Sequence, residues 1–473
     1  MAKLFVAGEW SDSGPAAEIR SPFDDAVVDV VPIANAESCE KALTFADLAA
    51  RRLRTAPSHD RSQWLGRAAR LLHERTDEFA QTITAEEGKT LVESRAEVRR
   101  AVETLTLSGE EAKRIAGRGI PIDGAPDSAG RLAFTVRIPC GVIVAITPFN
   151  FPLNLVAHKV GPALAAGNSI ILKPASATPL TAIKLVEVLL EAGVPADAIQ
   201  CLVGPGDQVG ERLCADPRVR KISFTGSAAV GDRICKAAGA KRVTMELGGN
   251  SPMLVMDDAD LDLVVKAAVV TGFGNAGQTC ISTQRILADD RRIGDLLDAL
   301  APAIRSIRTG NPSAADVKMG PMVRPKEAER VATWIAEAKS AGAKVIVGGE
   351  RSGAMHEPTL IADAPATSRI VRDELFGPAV VVGAFSSIEQ ALAEANDTPY
   401  GLAAGIFTRD LGRALRFVGE MDAGNLHINW APGWRADLMP YGGLKMSGFG
   451  KEGPEYAVEA MTEEKTVVFH PTP

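Results

Sequence analysis

Three short stretches carry the side chains best suited to chemistry. Gly274-Asn275-Ala276-Gly277-Gln278-Thr279-Cys280 ends a run of small residues in a thiol, where backbone can come close to a ligand. Upstream, Met245-Glu246-Leu247-Gly248-Gly249-Asn250 offers a carboxylate followed by two glycines. Further back, Thr147-Pro148-Phe149-Asn150-Phe151-Pro152 sets an amide between two aromatic rings. A nucleophile, a general base and an amide donor are the set that covalent acyl chemistry needs. Each has a plainer reading beside it. A lone cysteine is more often a buried structural thiol, and Cys39, Cys201, Cys214 and Cys235 take that reading from their helical or strand contexts. Cys280 differs because Gly274, Gly277 and Gln278 surround it rather than large apolar side chains. Glu246 reads equally as a solvated strand end, and Asn150 as a turn-capping amide.

The elements that must position these residues follow from periodicity. Short strands and turns open the chain, over 4–6 and 27–31, and a helical texture runs from about 38 to 115. Within it Glu87-Gly88-Lys89 marks a helix stop and restart. Gly, Pro, Asp and Ser dominate 117–130, and 132–138 predicts a strand, together a hairpin-like excursion. Strands are then predicted over 142–146, 169–172, 199–203, 221–224 and 242–245, with helices over 153–166, 180–192, 208–215 and 229–238 between them. That alternation predicts an α/β fold with a mostly parallel, doubly wound Rossmann-like sheet covered on both faces. After Gly249 the rhythm changes. Helices over 260–270, 293–307, 327–341, 388–395 and 411–418 and strands over 284–287, 344–347, 380–384 and 405–408 predict a second α/β domain. A lone strand over 465–469 closes the chain, free to pair within it or with another chain.

Bulk properties exclude several classes. The 473 residues suggest two or three domains, and 46% apolar with 23% charged residues is ordinary for a globular protein. A net charge of −7 and no basic run argue against a nucleic-acid partner. Six scattered cysteines with no C-x-x-C pair and no neighbouring His predict reduced thiols, a cytoplasmic setting and no zinc site. No signal-peptide core opens the chain. The uncharged stretch 138–157 is interrupted by Pro139, Pro148, Asn150, Pro152 and Asn154, which excludes a membrane span.

Cofactor candidates sit at strand ends, where open α/β sheets bind ligands. Lys173-Pro174-Ala175-Ser176 puts an ammonium and a hydroxyl past one strand, Phe224-Thr225-Gly226-Ser227 opens a helix whose N–H groups suit an anion, and Gly204 and Gly206 follow a third. Ordinary turn and cap residues are the alternative for any one of them. Gly448-Phe449-Gly450-Lys451-Glu452-Gly453 matches a dinucleotide fingerprint by spelling only, because no strand and no room for a βαβ unit accompany it.

In order and spacing these motifs, with Lys159-Val160-Gly161-Pro162-Ala163-Leu164-Ala165-Ala166-Gly167-Asn168 and Glu374-Leu375-Phe376-Gly377-Pro378, resemble the NAD(P)-dependent aldehyde dehydrogenase superfamily over nearly the whole chain. The resemblance implies Cys280 as nucleophile, Glu246 as general base, and the Asn150 amide with the Cys280 N–H as an oxyanion hole, with Lys159 packed near that amide. It implies that Glu374 holds the nicotinamide ribose, Phe376 packs at the nicotinamide end, Lys173 holds the adenosine ribose and Ser227 meets the pyrophosphate. Ile146, Thr147, Pro148, Phe149, Ala175, Ser176, Gly206, Gly210, Phe224, Thr225, Gly226, Val230, Leu247 and Gly248 complete the cofactor site by the same resemblance. Phe151, Thr279, Ile281, Trp434 and Arg435 are the expected substrate contacts. Residues 1–116 and 141–248 would form the NAD(P)-binding domain and 249–440 the catalytic domain. Residues 117–140 and 455–473 would form a small β element that builds a homo-oligomer, a dimer or tetramer.

Glu246 implies hydrolysis to a free acid, since branches of the family that acylate coenzyme A generally lack this base. NAD-preferring members often carry Glu where this chain has Ser176, so NADP is expected to be preferred, with NAD as the alternative. Met439-Pro440-Tyr441-Gly442-Gly443 and Lys445-Met446-Ser447-Gly448 resemble the branch acting on lactaldehyde, glyceraldehyde (phosphorylated or not) and phosphonoacetaldehyde. A small polar or anionic aliphatic aldehyde is therefore the expected substrate. A succinate-semialdehyde-type enzyme is the alternative, because Lys173-Pro174-Ala175-Ser176 also resembles that branch. Arg435 reads either as an anion clamp or as a surface or inter-subunit ion pair.

Overall fold

The computed structural model describes residues 1–470. Two parallel-cored sheets dominate. The first has eight strands in the spatial order Glu9–Ser11, Leu4–Val6, Ile199–Cys201, Ser169–Lys173, Val142–Ile146, Val219–Thr225, Arg242–Glu246, Gly448–Phe449. The five central strands run parallel, and both outer additions are antiparallel. Their near-continuous Val/Ile/Leu runs are buried on both faces, as a helix-covered parallel sheet requires. Successive strands step outward from Val142–Ile146 in one direction, and then the chain returns to Val219–Thr225 on its other side. The carboxyl ends of Val142–Ile146 and Val219–Thr225 therefore flank the switch point where such sheets hold ligands.

The second sheet has seven strands in the order Lys344–Val347, Thr359–Ala362, Ala379–Phe385, Thr283–Asp289, Ser251–Val255, Ala403–Phe407, Asn425–Ile428. All pairings are parallel except the first. Ser251–Val255 lies in its interior, between Thr283–Asp289 and Ala403–Phe407, and has no counterpart among the strands expected from sequence. Pro252 argues against an interior strand, and the ladder absorbs it with a register shift between Ser251 and Pro252. Thr359–Ala362 and Asn425–Ile428, each four residues long, were also unforeseen.

The closing strand, Thr462–Phe469, is three residues longer at its start than expected. It pairs antiparallel along all of Leu132–Pro139, and Gly119–Ile120 completes a three-stranded sheet. The helical region resolves into Ala36–Leu53, Ser58–Glu74, Thr76–Glu87 and Leu91–Glu111. Gly88 takes a left-handed conformation (φ 91°) at the end of Thr76–Glu87, and Thr90 opens the next helix with a capping box to Glu93. Helix Asn154–Ala165 is buried along its whole length between these helices and the first sheet, so its N-terminus enters the site from inside the protein.

Candidate active site

The thiol is delivered by an unusual turn. Helix Leu261–Phe273 ends, and Asn275 (φ 50°), Ala276 (φ 51°) and Gly277 (φ 69°) follow in left-handed geometry. Only the third is a glycine. A Cβ on it would collide with the carbonyl of Gly377, so this loop lies directly on the Glu374-Leu375-Phe376-Gly377-Pro378 segment. The turn is fastened by Gln278, fully buried, whose Nε2 donates to the Asn275 carbonyl (3.2 Å) while its Oε1 accepts from Val323 N (2.9 Å).

The glycines after Glu246 have the same purpose. A Cβ on Gly248 would strike the Glu374 carboxylate, and one on Gly249 would lie 2.5 Å from the Cys280 carbonyl oxygen. Gly249 N donates to Glu374 Oε1 at 3.0 Å. The pair thus brings the end of the first sheet against both the thiol loop and Glu374.

Cys280 stands between two cavities. The larger, about 520 Å³, is lined by Thr147, Pro148, Phe149, Asn150, Phe224, Thr225, Gly226, Ser227, Val230, Leu247, Gly248, Glu374 and Phe376. Leu155 and three residues of helix Pro325–Ser340, Glu327, Arg330 and Trp334, complete its walls. Phe149 and Phe376 meet edge to face there, with ring centres 5.9 Å apart. A neighbouring cleft of about 460 Å³ is lined by Ile146, Lys173, Gly206, Gly210 and Val230, together with Asp207, Glu211, Arg233 and Ile234. On the other side of the thiol a much smaller cavity is lined by Phe151, Thr279, Ile281, Glu246, Arg435 and Tyr441, with Arg100, Asn154, Leu402, Gly433 and Glu452 among its other walls.

The first two spaces suit a dinucleotide. Ser227 caps the eleven-residue helix Ala228–Ala238 without using its own side chain, which leaves an anion site at a helix N-terminus. Lys173 is a buried ammonium whose nearest hydrogen-bond partner is the Pro174 carbonyl at 3.4 Å; burial lowers its pKa to about 8, and no carboxylate is paired with it. Glu374, pushed up to about 7 by burial, presents a carboxyl to the larger cavity. A ribose hydroxyl or phosphate satisfies each of these. Ala175 and Ser176 do not line the cleft: Ser176 is exposed and donates its hydroxyl to the Gly204 carbonyl at 2.9 Å.

Burial dominates the electrostatics around the thiol. It pushes Cys280 up to about 11, opposed by a hydrogen bond with the Tyr441 hydroxyl at 3.1 Å. It also holds the Glu246 carboxyl well above the usual carboxylate range, with the nearby Glu452 charge adding to the effect; neither Glu246 oxygen has a hydrogen-bond partner. Asn150 is buried, and its Nδ2 donates to the Gln278 carbonyl at 2.8 Å. That bond uses one of two amide hydrogens and leaves the other for a ligand.

One sequence expectation needs correction, and Lys159 has partners that the sequence did not show. Its ammonium goes to Glu452 Oε1 (2.7 Å) and Ser223 Oγ (3.2 Å), since a fully buried cation seeks a carboxylate. Trp434 does not line the cavity. Gly433 and Arg435 do, whereas Trp434 is 53% exposed and meets His427 edge to face. Arg435 itself is 6% exposed, so it forms no surface ion pair. Its guanidinium lies 3.9 Å over the Tyr441 ring and 3.5 Å from Glu452 Oε2, and its buried Nε has no partner.

Sequence reasoning missed the polar floor beneath this cavity. His158 Nε2 and Asp437 Oδ1 are 2.9 Å apart, and Arg100 grips Asp437 with Nε (3.0 Å) and Nη2 (2.8 Å). Burial drops His158 to about 4 and leaves it neutral. Burial also acts to raise Asp437, but its hydrogen bonds with His158 and Arg100 outweigh that and hold it far below the usual range. Glu452 came from the six-residue glycine stretch rejected as a nucleotide site. Gly448 and Gly450 there let the chain approach Met245 and Thr244 closely, as strand Gly448–Phe449 joins the first sheet.

Comparison with known proteins agrees with this geometry. The aldehyde dehydrogenase family model matches residues 10–467. The chain is 44% identical over 467 residues to a 3-sulfolactaldehyde dehydrogenase of Priestia megaterium, covering 99% of this chain and 98% of that one. Aldehyde dehydrogenase 21 of Physcomitrella patens, solved with the reaction product succinate, superposes with a TM-score of 0.96 at 36% identity, covering 99% and 98% of the two chains. An NADP-dependent enzyme of E. coli gives the same TM-score, identity and coverage. The fold and site define an NAD(P)-linked oxidoreductase. The chain belongs to the aldehyde dehydrogenase family. Among the described residues no helix is long and apolar enough to cross a membrane.

Proposed function

We propose that the enzyme oxidises a small aliphatic aldehyde bearing an anionic group to the carboxylic acid, with Cys280 as nucleophile, Glu246 as base and Asn150 as oxyanion donor. The observation that carries the anionic substrate is a charge imbalance. Lys159 and Arg435 share one carboxylate, Glu452, which their proximity holds near 2 against the upward push of burial. Asp437 neutralises Arg100, His158 is neutral, and burial disfavours the charged form of the Glu246 carboxyl. One positive charge is left over at Arg435, which has a vacant N–H and lines the cavity beside the thiol. A buried unmatched charge is costly, and an anionic substrate group removes that cost. The sulfonate of 3-sulfolactaldehyde and the carboxylate of succinate, named for two relatives, have this chemistry. A succinate-semialdehyde-type enzyme is the second reading, favoured by the succinate complex.

In the reaction the Cys280 proton leaves to solvent and Sγ bonds the aldehyde carbon, whose C=O π pair moves to the oxygen. The new oxyanion is held by the second Asn150 N–H and the Cys280 backbone N–H, donors each worth about 3–4 kcal/mol in such transition states. Phe149, Glu374 and Phe376 would hold a nicotinamide in the larger cleft, where it would supply the hydride acceptor. Glu246 then takes a proton from water as its oxygen attacks the thioester on Cys280, releasing the acid and restoring the thiol. Lys173, unpartnered, and Arg233, loosely paired with Glu211 at 3.6 Å, favour NADP over NAD. Six free thiols fit a reducing, cytoplasmic setting. The three-stranded sheet, with Leu132 and Phe469 exposed, is the proposed surface for a homo-oligomer.

An aldehyde panel assayed with NAD and NADP in parallel, on wild type and Arg435→Gln, tests this. Arg435→Gln is expected to raise KM for anionic aldehydes about tenfold or more and to leave neutral ones unchanged. An unchanged KM for every anionic aldehyde contradicts the substrate reading. About tenfold better kcat/KM with NAD contradicts the cofactor preference.

A further inference from the structure

We infer that Lys89 is a positioning residue for the oxyanion hole, locked in place by Glu97; this rests on the proposed role of Asn150. Lys89 Nζ and the Glu97 carboxylate are both 1% exposed, in the wall behind the segment that carries Asn150. Every proton on the ammonium is spoken for. One goes to Glu97 Oε2 at 2.6 Å, one to the Asn150 main-chain carbonyl at 2.7 Å, and the third faces the Phe151 ring, whose centre is 3.9 Å away.

Glu97 holds the same segment from its other end. Its Oε1 accepts from Leu153 N (2.9 Å) and Asn154 N (3.1 Å), where helix Asn154–Ala165 begins. The Asn150 carbonyl receives a second donor, the Nδ2 of Asn275 in the left-handed turn before Cys280, at 3.1 Å. One ion pair thus fixes the peptide of the oxyanion donor, the ring beside it and the start of the next helix, and meets the thiol loop at a shared carbonyl.

A pair this deep gains little for stability alone. Desolvating two charges costs several kcal/mol each, and apolar residues of equal volume would serve a purely structural purpose as well. What they would not supply is a donor to the Asn150 carbonyl. With only Asn275 Nδ2 left on that carbonyl, the peptide is held less firmly and the Asn150 amide meets the developing oxyanion in a less fixed orientation, and preorganisation is what makes such donors effective. Lys89 touches neither cavity, so it acts only through Asn150 and Phe151.

The test is a double-mutant cycle of Lys89→Met with Asn150→Ala, read as kcat/KM for the aldehyde alongside KM for the dinucleotide. Lys89→Met is expected to lose about tenfold or more in kcat/KM with the dinucleotide KM within about twofold. Asn150→Ala is expected to lose about 10²–10³-fold, and the double variant no more than Asn150→Ala alone. Losses that multiply in the double variant, or a Lys89→Met enzyme within about twofold of wild type, overturn the inference. A fully active Asn150→Ala enzyme overturns the oxyanion reading and this inference with it. If Lys89→Met does not fold, Glu97→Gln, which keeps size and an acceptor for Leu153 and Asn154, enters the same cycle. Non-additivity with Asn150→Ala supports the inference and multiplied losses overturn it.

Discussion

The Sγ of Cys280 and the hydroxyl of Tyr441 lie 3.1 Å apart, though 161 residues separate them in the chain. Burial holds the Tyr441 phenol well above its ordinary range, so it stays protonated and can donate to a thiolate. The bond opposes the effect of burial on Cys280. Hydrogen bonds to charged groups contribute about 1.5–3 kcal/mol. Tyr441→Phe should therefore slow alkylation of Cys280 by iodoacetamide at neutral pH by about tenfold to a hundredfold, with the pH profile displaced to higher pH. An unchanged alkylation profile would contradict this role.

Glu246 should separate two phases of turnover. Glu246→Gln is expected to keep the first-turnover burst of reduced nicotinamide and to lose about 10²–10⁴-fold in the steady state. Burial first, and Glu452 second, raise this carboxyl, so its base form grows only at pH above the ordinary carboxylate range. The wild-type steady-state rate should climb as that form grows, and the Gln variant should lack the climb. The same rising limb in both enzymes would assign it to another group.

How much of this was legible in the sequence depended on whether each contact was local. Cys280, Glu246 and Asn150 announce themselves through their neighbours, because the glycines and prolines beside them are demanded by close backbone approach. Tyr441 and Glu452 also stand beside glycines, but nothing local shows what they meet; Glu452 meets Lys159 across 293 residues and owes its role to tertiary folding. Lys89 looked like part of a helix restart and Glu97 drew no reading, because both hold backbone atoms of a distant segment. Among the strands, Ser251–Val255 was hidden by Pro252, and Trp434 was drawn into the site by the family resemblance of the loop it shares with Arg435.

Glu86 gives a stability prediction remote from the chemistry. It is fully buried and accepts hydrogen bonds from Leu180 N (2.7 Å) and Thr181 N (2.9 Å) at the start of helix Leu180–Glu191. Burial nonetheless raises it from the ordinary 4.5 to about 7. The folded state therefore keeps a proton that the unfolded chain releases. This contribution is complete below about pH 4.5 and is lost as pH rises through about 7, on the order of 3 kcal/mol in total. Urea unfolding of wild type should weaken over that range relative to Glu86→Gln, which cannot ionise. Parallel pH dependences in the two proteins would show that Glu86 ionises normally.

The central claim is that the acyl group passes through Cys280 at the junction of the cofactor and substrate cavities. Rapid mixing with an anionic aldehyde and NADP, quenching in acid and mass analysis of the peptide containing Cys280 tests it most directly. The account predicts a peptide heavier by the acyl group, formed together with the burst of reduced nicotinamide, and neither signal in Cys280→Ala. Reduced nicotinamide formed at the wild-type rate by Cys280→Ala, or an acyl group found on another residue, would contradict it.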